Sequence, residues 1–155
     1  MNPCHLLLRP SCWLLLLCLL CAPLSASATD PTAPLRIFVS ILPEEFLAAR
    51  VGGNRVQVET LVQPGHNMHT YAPTPLQMAG LASAHLYFRI GVPFEAPLIA
   101  KLQRTVPGLK IVDLQEGIDL LRLEESEEEH HDHAGDLDPH TWLDPNLALR
   151  QAEHI

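Results

Sequence analysis

Beyond residue 21 the chain has no cysteine. All four, Cys4, Cys12, Cys18 and Cys21, lie at the start, so the remainder can hold neither a disulfide framework nor a cysteine-type zinc site. Basic charge is also scarce. Ten Lys and Arg face 18 Asp and Glu, for a net charge of −8. Nothing in this balance resembles the basic footprint of a nucleic-acid-binding protein, and no nucleic-acid partner is expected. The acidic excess is local: residues 124–138 hold eight acids and no Lys or Arg, while ten acids oppose ten bases elsewhere. Long apolar runs are missing too. The one unbroken stretch, Trp13 to Leu20, is far short of the roughly 20 residues a membrane-spanning helix needs.

That short run belongs to a leader. Arg9 gives it a basic start, and Ala26-Ser27-Ala28 supplies the small-x-small pattern that signal peptidase requires. Residues 1–28 are therefore read as a secretory signal peptide cleaved after Ala28. Cys18 and Cys21 each follow a leucine, whereas a lipobox needs a small residue there, so no lipid anchor is expected. The mature part, residues 29–155, should stand free in an extracytoplasmic space, with the bacterial periplasm favoured. Its 127 residues suffice for one small domain. The chain stops within a helical pattern at Gln151-Ala152-Glu153-His154-Ile155, without Gly or Pro to close it. It is read as the first part of something longer.

Strand and helix patterns alternate. RIFVSIL (36–42), VQVETLV (56–62), HLYFRIG (85–91) and KIVDL (110–114) are short, apolar and β-rich. Between them, Pro43 opens a helix with Glu44 and Glu45 in its first turn and Gly52-Gly53 at its end. Thr74-Pro75 caps a second helix, on which Leu76, Met78 and Leu81 are expected to form the buried face. Residues 93–106 make a third helix, with Phe94, Leu98 and Leu102 inward. Asp144-Pro145 begins a last one. Strands alternating with helices of this length predict an α/β fold: a parallel four-stranded sheet with helices on both faces. Residues 115–123 have no clear pattern, no internal repeat is found, and residues 124–135 (EESEEEHHDHAG) are a low-complexity mobile loop by composition.

In an open parallel sheet, ligands bind beyond the carboxyl ends of the strands. Two histidine-bearing loops fall there. QPGHNMHTYAP (63–73) carries His66 and His69, and DPHTWLDP (138–145) carries His140 between two prolines, with Trp142 as an apolar wall. Imidazoles from separate loops that converge suit zinc, copper, iron or nickel. By spacing alone each histidine remains a candidate only, since a loop histidine is more often a plain surface residue. His130, His131 and His133, set among acids, offer weak, exchangeable auxiliary donors, as His66 does. His85 and His154 read as rim or surface residues.

With both loops in view, LVQPGHNMHTYAPTPLQMAGLASAHLYFRIGVPFE (61–95) followed by DPHTWLDP resembles the zinc- and manganese-type solute-binding proteins of ABC importers. The resemblance covers the whole mature chain. It implies a two-lobed protein of which residues 29–143 form the N-terminal α/β lobe and residues 144–155 the start of the inter-lobe helix. It also implies that the first two metal histidines fall on His69 and His140, with the remaining ligands on a second lobe outside this chain. Met68 departs from the pattern, standing where the family commonly has Pro or, in some zinc members, a ligating Glu. The histidine- and acid-rich loop favours Zn(II) as the transported ligand over Mn(II). A monomer that captures the ion and hands it to a membrane permease, and no enzyme, is the expectation. Neutral imidazole is the ligating form, so affinity should fall below about pH 6.5. Two readings stand beside it. A secreted zinc-dependent hydrolase would need an open coordination position and a base beside it, yet the chain has no His-Glu-x-x-His helix and no G-x-S-x-G elbow. A metal buffer would act through the acidic loop alone.

Overall fold

Four strands run parallel in the order β2-β1-β3-β4: β1 Leu35–Val39, β2 Val56–Thr60, β3 Leu86–Arg89 and β4 Lys110–Asp113. The computed structural model describes residues 33–122 and 137–155. The signal peptide expected at 1–28 and the loop expected at 124–135 therefore lie outside the described residues. The connections are α1 (Leu42–Gly52), α2 (Pro75–Ala82) and α3 (Glu95–Thr105), and α4 (Pro145–Glu153) closes the chain. This is the α/β sheet that the alternating pattern predicts. No helix among the described residues is long and apolar enough to cross a membrane.

The strand order reverses once, beside β1. The chain steps outward from β1 to β2, then back past β1 to β3. Because such crossovers are right-handed, this reversal puts α1 on one face and α2 and α3 on the other. α4 packs against α1. The connections after β1 and β3 thus leave in opposite directions, and the gap between them opens outside the carboxyl ends of the strands. The central strands β1 and β3 are covered on both faces, which is why their buried residues are consecutive: Ile37, Phe38 and Val39 on one, Tyr87 and Phe88 on the other. Leu61, Leu81, Leu98, Leu102 and Leu114 complete the core.

Local chemistry sets the element ends. Thr74 accepts from the Gln77 N–H at 3.3 Å, and Gln77 Oε1 accepts from the Thr74 N–H at 2.9 Å, a reciprocal capping box. Asp144 Oδ1 caps α4 through the Asn146 and Leu147 N–H groups at 2.7 and 3.3 Å. α1 stops at Gly53, whose φ of +57° suits glycine. β1 ends at Val39 rather than at Leu42, because Ile41 is the helix N-cap and α1 begins at Leu42. α3 begins at Glu95, two residues after Pro93, and Pro97 falls in its first turn, where a missing N–H is harmless.

One expected helix face is corrected. Leu81 is buried and Met78 partly so, but Leu76 is 83% exposed. At 100° per residue, position 76 points away from 78 and 81, which are three apart and share a side. Behind this helix, Gly80 lies so close to Phe38 that a Cβ there would stand 2.6 Å from the ring. Residues 115–122, unpatterned in sequence, form a turn and then an isolated antiparallel bridge from Arg122 to Leu137. The Asp138 N–H donates to the Leu121 carbonyl at 2.8 Å, which draws the two ends of the acidic segment together.

Candidate metal centre

The loop after β2 is pinned at both ends. Gln63 Nε2 donates to the Thr60 carbonyl at 2.7 Å. The Tyr71 hydroxyl stands 2.7 Å from Gln77 Oε1 and 2.5 Å from the Leu61 carbonyl, with its ring edge-on to Phe94. Between these anchors, Gly65 at φ +85° allows a turn in which the His66 N–H reaches the Gln63 carbonyl at 3.1 Å. Asn67 Oδ1 then accepts from the His69 N–H at 2.8 Å. Met68 packs against the core while His69 is exposed. Met68 thus acts as an apolar peg that leaves the next side chain facing outward.

The second loop holds its histidine more tightly. One oxygen of Asp138, Oδ1, accepts from the His140 backbone N–H at 2.9 Å and lies 2.6 Å from His140 Nδ1. These two hydrogen bonds hold the Asp138 carboxyl below the usual carboxylate range. A carboxylate can only accept, so Nδ1 is a protonated nitrogen, and in the neutral ring the lone pair falls on Nε2. A ring oriented in this way is the form that metal-ligating histidines adopt. The His140 ring lies 5.1 Å from that of Trp142, and residues 141–143 form a 3-10 turn leading to Asp144.

A shallow cavity of about 400 Å³ opens between the two loops. Ile41, Leu42 and Pro43, from the segment after β1, make one wall; His66 and His69, after β2, make another, and Trp142 makes a third. Trp142 therefore links the two histidine loops: it lines the cavity with His69, and its ring lies tilted beside that of His140. His66 borders this cavity and a second one of about 470 Å³ toward Tyr71 and Gln77. Its ring is edge-on to Tyr71, 6.0 Å between centroids. His130, His131 and His133 lie outside the described residues. Among the described residues no three His, Cys, Asp or Glu side chains gather as a metal cluster. The candidate donors are imidazoles, and that of His140 is backed by the Asp138 carboxylate. They fit a borderline transition-metal cation, and they leave its coordination shell incomplete, since zinc takes four ligands.

Two acids beneath this rim are buried, Glu95 and Glu44, and the sequence marks Glu44 only as a first-turn acid of its helix. Glu95, at the start of α3, accepts from the Ser40 hydroxyl at the end of β1 and from the Ile90 and Gly91 N–H groups after β3, at 3.0 and 2.7 Å. It fastens together the carboxyl ends of the two central strands. The Ser40 hydroxyl also lies 2.7 Å from that of the buried Tyr87. Glu44 in α1 accepts from the Ile41 N–H at 3.1 Å, and its other oxygen is buried without a partner among the described residues. Burial pushes both carboxyls above the ordinary range, Glu44 further, because the Glu95 charge adds to its desolvation and fewer donors oppose it. Asp138 was passed over in the sequence as well. An Asx-type turn two residues before His140 is the signal that could have found it.

A parallel α/β lobe with one oriented imidazole and a second histidine loop on the same rim defines a class, the metal-type solute-binding proteins. A family model described as zinc-uptake complex component A, periplasmic, matches residues 37–155, and the chain belongs to that family. The family is one of metal-binding transport proteins rather than enzymes. The chain is 29% identical over 151 residues to the zinc-binding lipoprotein AdcA of Streptococcus pneumoniae serotype 4, a match covering 91% of this chain and 30% of the relative. It is 30% identical over 105 residues to the manganese-binding lipoprotein MntA of Halalkalibacterium halodurans, covering 68% and 32%. A crystal structure of ZnuA superposes with a TM-score of 0.68 at 37% identity, over 78% of this chain and 46% of that one. The chain thus spans about a third of the length of these curated relatives.

Proposed function

We propose that this protein captures Zn(II) in the periplasm and delivers it to the membrane permease of an ABC-type importer. Residues 1–28 direct export, residues 29–143 form one lobe, and residues 144–155 begin the helix toward a second. His69 and His140 are the ligands this chain contributes, and the rest of the shell comes from elsewhere in the whole protein. His66, His130, His131 and His133 serve as auxiliary donors that raise the local concentration of metal. The mature protein acts as a monomer without a lipid anchor. AdcA and MntA are lipoproteins by name, whereas leucine precedes Cys18 and Cys21 here.

The observation that supports the reading is the Asp138–His140 pair, which engages Nδ1, together with Trp142, which lies beside the His140 ring and lines a cavity with His69. Zinc is supported by the family description and by the named activity of AdcA. Manganese is the second reading, favoured by the likeness to MntA. Titration of the full-length protein with Zn(II) and Mn(II) against a competing chelator tests both. His69→Ala and His140→Ala should each abolish tight binding. Native zinc affinity in both variants sinks the assignment, and a preference for Mn(II) moves it to the second reading. Deleting residues 124–135 should leave one tight site; loss of nearly all binding would make the loop itself the metal holder.

A further inference from the structure

Behind the His140 loop lies a chain of buried polar groups that touches no ligand position. The Pro139 carbonyl, one residue before His140, faces three donors: the Thr141 N–H at 2.7 Å, the Thr141 hydroxyl at 3.3 Å and Gln115 Nε2 at 3.3 Å. Gln115 belongs to the turn after β4, where Asp113 Oδ1 accepts from its backbone N–H at 2.9 Å. Gly91, after β3, leaves the space that its side chain fills, since a Cβ there would stand 2.7 Å from Gln115 Oε1. From the opposite side, Gln151 on α4 donates through Nε2 to the Thr141 hydroxyl oxygen at 2.7 Å. Thr141 is 4% exposed and Gln151 fully buried.

The direction of these bonds matters. A hydroxyl has one proton. Because Gln151 supplies a donor, Thr141 can accept from it and spend its own proton on Pro139. The peptide before His140 is thereby tied to the fourth helix, while Asp138 fixes the ring from its other end. Gln151 does this at a cost to the fold, because its Oε1 is buried without a hydrogen-bond partner among the described residues. A buried amide half unsatisfied is worse for stability than an apolar side chain of the same shape. Packing alone therefore gives no reason for a glutamine at this place.

We infer that Gln151 and Thr141 are positioning residues for metal binding: through the Pro139 carbonyl they set the angle at which His140 meets the ion, and they make that angle depend on the seat of α4. The inference rests on the reading of His140 as a ligand. It goes beyond that reading in assigning a role to two residues that hold no metal, and in coupling the helix to the site. A displacement of α4 by about an ångström breaks a bond of this length, since hydrogen bonds weaken steeply beyond about 3.2 Å.

The test measures Zn(II) affinity by chelator competition, and thermal unfolding of the metal-free form, on the full-length protein. Gln151→Met and Thr141→Val should each weaken zinc binding about tenfold, the lower end for residues that orient a metal-bound histidine. The double variant should lose no more than either alone, because one relay is cut twice. Thr141→Ser keeps the hydroxyl and should bind as the wild type does. Metal-free Gln151→Met should unfold at or above the wild-type temperature, since an orphan acceptor has been removed. Wild-type affinity in folded Gln151→Met overturns the inference, as does a loss of affinity that merely follows a loss of stability. If Gln151→Met fails to fold, the Thr141→Val and Thr141→Ser pair decides, and equal affinities overturn it. Undiminished binding in His140→Ala instead removes the reading beneath the inference, and the two failures are thus told apart.

Discussion

A single oxygen of Asp138 receives both the backbone N–H and the Nδ1 of His140, at 2.9 and 2.6 Å. The backbone bond places the residue and the ring bond selects its tautomer, so position and electronic state are fixed by one acceptor. Asp138→Asn keeps the size and one acceptor oxygen but loses the charge, and its amide can turn a donor toward Nδ1. Zinc affinity should fall by about 10- to 100-fold, as for other carboxylates behind metal-bound histidines. Chelator competition measures it. An unchanged affinity would show that the ring needs no such support.

Glu44 makes stability depend on pH in a direction opposite to that of a paired surface acid. Its folded carboxyl titrates well above the ordinary range through burial, and then through the nearby Glu95 charge. The folded state therefore holds a proton that the unfolded chain releases near pH 4.3. The contribution is fully present below that unfolded value. It is lost as the pH rises through the higher folded value. Glu44→Gln keeps an acceptor for the Ile41 N–H and removes the ionisation. Denaturant unfolding across pH 4 to 8 should show the wild type losing stability relative to this variant as pH rises. A constant difference between the two would refute the assignment.

Gly80 is required by the close approach of α2 to β1. A methyl group at this position meets Phe38 Cζ at 2.6 Å, and Phe38 is fixed in the core at 1% exposure. Gly80→Ala should destabilise the fold by about 1–3 kcal/mol despite the better helix propensity of alanine. Chemical denaturation reads this directly, and a stabilised variant would contradict the packing.

Asp144 tests whether α4 is held from its own start. Its carboxylate caps two N–H groups, and Asp144→Ala should cost about 1 kcal/mol. Because the helix carries Gln151, zinc affinity should also decline in this variant. Loss of stability with intact affinity would mean that the cap and the Gln151 contact act separately.

The metal loops were legible to different depths. Gln63–Pro73 and Asp138–Pro145 announce themselves through proline, glycine and histidine, and their positions after strands follow from the alternating pattern. The parts that were not legible are long-range. Trp142 meets the His69 loop across more than 70 residues of chain, and Glu95 meets Ser40 across 55. No local periodicity carries such contacts. The exposed Leu76 shows the converse: a local count was available there, and grouping three apolar residues without their helical angles put one of them on the wrong side while Met78 and Leu81 face the core.

The sequence by itself determined the order of strands and helices, their caps and the parallel class of the sheet, because these depend on hydrogen bonds and apolar spacing within a few residues. It also marked His69 and His140 as candidates. Only the tertiary structure decided which groups stand behind them: the sheet order that brings the loops after β1 and β2 to one rim, the burial that raises the Glu44 carboxyl above its ordinary range, and the seating of α4 that brings Gln151 to Thr141. Those outcomes depend on where separate elements pack, and packing is a property of the whole core rather than of any segment.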